Sequence, residues 1–115
     1  MTKYQVLYFA YSNKNSVKEF IDSLERKQKN KIFRLFQLIE EYGISTIPQH
    51  TKKLHKTPFR EIRILGKDNI RLLFIIEKSS AIIFYGFFKK TQKTPVTELT
   101  IADRSYKQWK ISLNK

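Results

Sequence analysis

The side chains of this chain that are suited to chemistry are cations around one carboxylate, gathered in a single stretch. Glu61-Ile62-Arg63 is followed by Ile70-Arg71-Leu72-Leu73-Phe74, and then by Phe87-Phe88-Lys89-Lys90-Thr91-Gln92-Lys93. Side chains alternate along a strand, so Glu61 and Arg63 share one face while Ile62 and Ile64 share the other. If the turn around Gly66 pairs Arg63 with Arg71, two guanidiniums sit side by side, with Glu61 near enough to neutralise one. A slip by one residue would set Arg71 opposite Ile64, and burying an arginine without a partner costs several kcal/mol. The paired register is therefore expected. Arginine grips phosphate oxygens with two parallel hydrogen bonds, and Lys89, Lys90 and Lys93 add charge for a developing oxyanion. Tyr85 and Phe87, just upstream, are aromatics of the kind that stack on a base. Lys52 and Lys53 extend the positive field beside His55, which is a candidate general base. Together these residue types suit a phosphodiester. An ordinary ion pair on a strand accounts equally well for Glu61 and Arg63, and a solvated strand end for the lysines. Arg71 is harder to explain that way, since an apolar strand seldom holds an arginine.

What is missing narrows the chemistry. There is no phosphate-binding glycine loop, no dinucleotide fingerprint and no serine elbow. His50 and His55 have no third ligand nearby and Cys is absent, so no metal site and no cofactor are expected. A nuclease built from these groups would act through cations and the 2′-hydroxyl of RNA as internal nucleophile.

Such a patch needs a sheet, and the sheet needs cover. Tyr4 to Ala10 reads as a first strand. Ser16 with Glu19 has the spacing of a capping box and predicts a helix starting at Ser16, with Val17, Phe20, Ile21 and Leu24 on one face. The polar run from Glu25 to Lys31 predicts a break or a solvated turn. A second helix follows, through Ile32, Leu35, Phe36, Ile39 and Tyr42, ended by Gly43. Phe59 to Leu65, Ile70 to Glu77 and Ala81 to Phe88 read as an antiparallel meander, turning at Gly66–Asn69 and at Lys78–Ser80. Thr94-Pro95 predicts an N-cap and first position, and Leu99, Ala102, Tyr106 and Trp109 recur at helical spacing. The fold class is α+β, in the order β-α-α-β-β-β-α, with an antiparallel sheet against a helical hairpin and a C-terminal helix.

The whole chain, residues 1–115, is expected to form one domain. Lys and Arg number 23 against 10 Asp and Glu, a net charge of +13, and 41% of residues are hydrophobic. A folded domain with a strongly positive surface attracts polyanions. No signal peptide is visible and no apolar run nears the ~20 residues of a membrane span. A cytoplasmic protein without a membrane partner is expected.

Lys53-Leu54, Glu61-Ile62-Arg63, Ile70-Arg71-Leu72-Leu73-Phe74, the block Gly86-Phe87-Phe88-Lys89-Lys90-Thr91-Gln92-Lys93-Thr94-Pro95, then Glu98 and Ala102 follow one another in a distinctive order. This pattern resembles the RelE/HigB toxin superfamily, and within it the phage-derived HigB-like branch, over residues 4 to 109. The resemblance implies a RelE-like fold and the toxin of a type II toxin–antitoxin system. It implies a metal-independent endoribonuclease that cuts mRNA, often on the ribosome, and so inhibits translation. The partners implied are mRNA, the ribosome and a cognate antitoxin with a helix-turn-helix domain, with DNA reached only through the toxin–antitoxin complex. By position, Arg71 matches the family's phosphate-binding arginine. Lys89 and Lys90 fall on its basic segment, and Glu61 and Arg63 on a strand that carries catalytic groups. No residue here matches the catalytic His or Tyr of some relatives, so the general acid and base stay open. Two other readings fit the charge: a non-catalytic RNA- or ribosome-binding module on the same scaffold, and a groove for an acidic protein.

Overall fold

Residues 4–10, 14–64, 66, 69–90 and 94–113 are described by the structure, a computed structural model. The chain opens with strand β1, Gln5–Tyr8, and enters helix α1, Ser16–Asp22. The cap lies one residue ahead of the expected Ser16: the Asn15 side chain accepts the Lys18 N–H at 3.0 Å. Helix α2, Arg26–Tyr42, follows after only three residues. The polar run from Glu25 to Lys31 is thus not a break but the opening of α2. Lys, Arg and Gln are good helix formers, and their polarity marks a solvent-facing start. Glu25 caps that start, its N–H donating to Gln28 Oε1 at 2.9 Å. Ile32, Leu35, Phe36 and Ile39 form the buried face, whereas Tyr42 points outward at 60% exposure. Gly43 ends the helix at φ +92°, and a Cβ there would lie 3.1 Å from the Tyr4 ring.

Two short 3-10 turns, Ile44–Thr46 and Pro48–His50, lead into β2, Thr51–Lys53, a strand that the sequence pattern did not signal. Strands β3 (Arg60–Ile64), β4 (Ile70–Glu77) and β5 (Ser80–Phe88) form the expected meander, and helix α3 runs over Val96–Leu113. The sheet order is β1-β5-β4-β3-β2. It is mixed rather than wholly antiparallel, because β1 lies parallel to β5. The helical hairpin carries the chain from β1 at one sheet edge to β2 at the other, and the following strands bring β5 back alongside β1. Among the described residues, no helix is long and apolar enough to cross a membrane.

Both sheet faces are covered, which is why β4 and β5 read as nearly continuous apolar runs. On one side Ile62, Ile64, Ile70, Leu72, Phe74 and Ile83 pack against α1 and α2. On the other, Phe59, Leu73, Ile75, Ile82, Phe84 and Phe87 meet Ala102 and Trp109 of α3. A bulge sits in β5: Phe74 pairs with Ile83 and Leu73 with Tyr85, leaving Phe84 as the extra residue. The alternation is thereby reset, so that Tyr85 and Phe87 share the α3 face with Phe84.

Gly86, opposite Leu72, lies directly under α1. A Cβ there would stand 2.5 Å from the Phe20 ring and 2.9 Å from Leu72 Cδ2. Gly86→Ala is expected to destabilise the fold by about 1–3 kcal/mol through overpacking. A urea titration reads this directly, and a midpoint equal to wild type would refute the packing described.

Candidate phosphate-binding cleft

Register decides the site. Arg63 stands opposite Arg71 in the β3–β4 pair, as the alternation of side chains required, and Glu61 stands opposite Leu73. These side chains occupy the α3 face of the sheet, beyond the end of the apolar cluster. On the outer side, β2 sets Lys52 opposite Glu61. The β3–β4 turn passes through Gly66 at φ +141° and Asn69 at φ +49°, and the Asn69 carbonyl accepts the Lys89 N–H at 2.8 Å. That bond brings the end of β5 alongside the turn, so the lysines meet the arginines.

Glu61 is fully buried: one oxygen accepts a hydrogen bond, and the other is ion-paired but without one. Oε1 lies 3.3 Å from Arg71 Nε, and Oε2 accepts the Thr94 hydroxyl at 2.7 Å. Thr94 was expected to cap α3. Instead the Pro95 carbonyl accepts the N–H groups of Glu98 and Leu99, at 3.1 and 3.2 Å. The cap thus moves one residue on, and the Thr94 hydroxyl is turned to the carboxylate.

The arginines are held from behind. Arg71 Nη1 donates to the Ile70 carbonyl at 3.1 Å, and Arg63 Nη2 to the Gln49 carbonyl at 3.3 Å. His50 Nδ1 lies 3.4 Å from the Arg63 carbonyl oxygen. The Nε atoms of both arginines are buried without a hydrogen-bond partner, because the Arg71–Glu61 contact is close but poorly aligned for one. A buried donor left unpaired costs about 1–3 kcal/mol. The guanidinium ends, rather than these covered Nε atoms, are what the two facing residues offer to the cleft.

The cleft in front of them has a volume of about 530 Å³ and is lined by Lys52, Glu61, Arg63, Asn69, Arg71, Lys89 and Lys90. Its lining sets five cations against one carboxylate. Burial lowers the Lys89 ammonium below the usual lysine value; Glu61 opposes that shift, while Arg71, Lys52 and Arg63 reinforce it. The arrangement can bind a phosphodiester through the arginines and set a partly desolvated ammonium against it.

All five residues expected to be catalytic, Glu61, Arg63, Arg71, Lys89 and Lys90, meet in this cleft, and Lys52 joins them. Lys53 pairs with Arg60, out of phase with Lys52 and Glu61, and so belongs to the opposite sheet face. His55 is exposed in the segment after β2, outside the cleft lining. Phe87 is buried in the α3-side core, its ring stacked with that of Tyr85 at 5.8 Å. Tyr85 is half-buried. Burial, together with the Glu98 carboxylate to which it hydrogen-bonds, raises its phenol above the usual value. Lys93 lies outside the described residues. The residues that sequence reasoning missed are Asn69 and Thr94. Asn69 sits in a turn flagged only for its backbone, and Thr94 contacts a partner 33 positions away, for which no local signal exists.

The sequence model of the family described as Phage derived protein Gp49-like (DUF891) matches residues 19–107 of the chain. This chain belongs to the Gp49-like family. The family is one of RelE/HigB-like toxins, and membership implies an antitoxin partner. The mixed sheet with three helices agrees with a RelE-like fold. No curated protein matches the chain. The Gp49-like match takes in every cleft-lining residue and all of α2, while β1 precedes it.

Proposed function

We propose that this Gp49-like chain is the toxin of a type II toxin–antitoxin system, of the HigB-like branch, and that it is an endoribonuclease cleaving mRNA. The observation that carries this reading is the facing Arg63–Arg71 pair in one cleft with Lys89 and Lys90, with Arg71 ion-paired to the buried Glu61. The arginines hold the scissile phosphate through its non-bridging oxygens. The adjacent 2′-oxygen attacks phosphorus, the bond to the 5′-oxygen breaks, and the products are a 2′,3′-cyclic phosphate and a 5′-hydroxyl. The 2′-hydroxyl gives its proton to solvent and the leaving oxygen gains one. Negative charge on the five-coordinate phosphorus grows toward Lys89, which stabilises it by proximity in a partly dry site. Glu61 is a positioning residue: its carboxylate is buried, ion-paired with Arg71 and hydrogen-bonded by Thr94, rather than open to substrate. Translating ribosomes in the cytoplasm present the mRNA, and an antitoxin carrying a helix-turn-helix domain restrains the toxin.

The test is incubation of purified protein with translating ribosomes, followed by mapping of mRNA ends. New ends bearing cyclic phosphate, lost when a 2′-deoxy nucleotide replaces the one at the cut, support the reading. RNA binding that weakens with salt but yields no new ends would instead favour a non-catalytic module.

The role of Lys89 carries its own prediction. Its ammonium loses its proton below the usual lysine value, so the cleavage rate should fall with rising pH earlier than for an ordinary lysine. Lys89→Arg keeps the charge at all accessible pH, since a guanidinium stays protonated well beyond the lysine range. It should flatten that alkaline decline while retaining most of the neutral-pH rate. A variant whose decline coincides with that of wild type would assign it to another group.

A further inference from the structure

Helix α2 carries Lys27, Lys31 and Arg34 at i, i+4 and i+7, an exposed stripe spanning about 10 Å of helix axis. Lys27 lies in the first turn of the helix, where a cation opposes the macrodipole. Lys27 and Lys31 also repel each other at i,i+4.

The stripe ends at a groove of about 420 Å³ between α2 and the Pro48–His50 turn, whose lining includes Lys31, Arg34, His50 and Ile64. The same turn holds Arg63 of the cleft, through the Gln49 carbonyl and beside His50. Lys31 Nζ also reaches the β3–β4 turn, where a Cβ on Gly66 would lie 2.9 Å from it. Asn69 of that turn lines the cleft. The cleft lies on the α3 face of the sheet and the groove on the α1–α2 face, and the Pro48–His50 and β3–β4 turns join the two around the sheet edge.

We propose that the groove and the α2 stripe form a second phosphate-binding track, which holds the backbone of a single RNA strand where it leaves the cleft. The proposal rests on the RNA-cleaving reading above and adds a binding surface to it. The track reads no bases: its cations meet phosphates whatever the sequence.

The test uses cleavage-resistant 2′-O-methyl oligonucleotides, a trinucleotide and a longer strand, titrated against the full chain over a series of salt concentrations. Wild type should bind the longer strand about tenfold more tightly or better, as added phosphate contacts release counterions. Lys31→Ala combined with Arg34→Ala changes exposed side chains on a helix. It should remove most of that gain and lower the salt slope by about 0.7 for each lost contact on a single strand. Its affinity for the trinucleotide should stay as in wild type. Equal wild-type affinity for the two lengths overturns the track and leaves the cleft reading standing. Failure to bind either length removes the cleft reading, and the track with it. A double variant that keeps wild-type affinity for the longer strand but loses binding to poly-L-glutamate would assign the stripe to an acidic polypeptide and refute the proposal.

Discussion

Arg71→Lys should reduce the rate of RNA cleavage by about 10²–10³-fold, the usual effect of removing one charge-stabilising contact from a transition state. The protein should stay folded. Lysine keeps a positive charge toward the buried Glu61 carboxylate, which now has Arg71 Nε at 3.3 Å. What it loses is the planar fork that meets two phosphate oxygens at once. Arg71→Ala is the blunter change, because it also strands Glu61 without its counter-charge and so mixes instability with lost chemistry. Cleavage of a defined message on ribosomes, with a thermal melt on the same preparation, separates the two effects. Growth arrest on induction should disappear in parallel. A folded Arg71→Lys protein that cleaves as wild type would mean that Arg71 does not hold the scissile phosphate.

Glu61→Ala should cost on the order of 3 kcal/mol of stability, the lower end for breaking a buried ion pair, because Arg71 opens onto a solvated cleft. Three losses coincide. The Arg71 guanidinium loses its counter-charge, Thr94 loses its acceptor, and the facing Arg63 and Arg71 charges repel without a carboxylate between them. Activity should fall with stability, since nothing else among the described side chains fixes Arg71 Nε. A compensating pair distinguishes structure from chemistry. Glu61→Leu together with Arg71→Met replaces the ion pair by apolar groups, a kind of exchange that is often neutral or stabilising. The double variant should regain the denaturation midpoint and remain inactive. A double variant that cleaves RNA would remove the Glu61–Arg71 pair from the mechanism.

Much of this site could be read before any coordinates, and the reason is local. Alternation with a period of two set Glu61 and Arg63 on one face. The cost of burying an unpartnered arginine then selected the register that faces Arg63 with Arg71. Apolar spacing located α1, α2 and α3, and the glycine and asparagine of the β3–β4 connection marked its turn. These features depend on a few neighbouring residues and on charge, both of which are written along the chain. Family resemblance pointed to the same residues through the spacing of short blocks, and the Gp49-like match agrees with it at the level of the RelE/HigB-like toxin family.

Tertiary structure decided the rest, because it concerned contacts between distant segments. Strand β2 is three residues long and exists only by pairing with β3. Its register places Lys52 at the cleft and Lys53 on the other face. The parallel placement of β1 rests on a pairing of Gln5–Tyr8 with distant Ser80–Ile83, which no local pattern signals. The Phe84 bulge turned Tyr85 and Phe87 to the α3 face, and packing there covered the Phe87 ring. The Thr94 hydroxyl found Glu61 across 33 positions, where the local rule offered only a helix cap. Periodicity states which side of an element is apolar, and charge states what its polar side attracts. Which polar groups end up touching depends on how the layers close over the sheet.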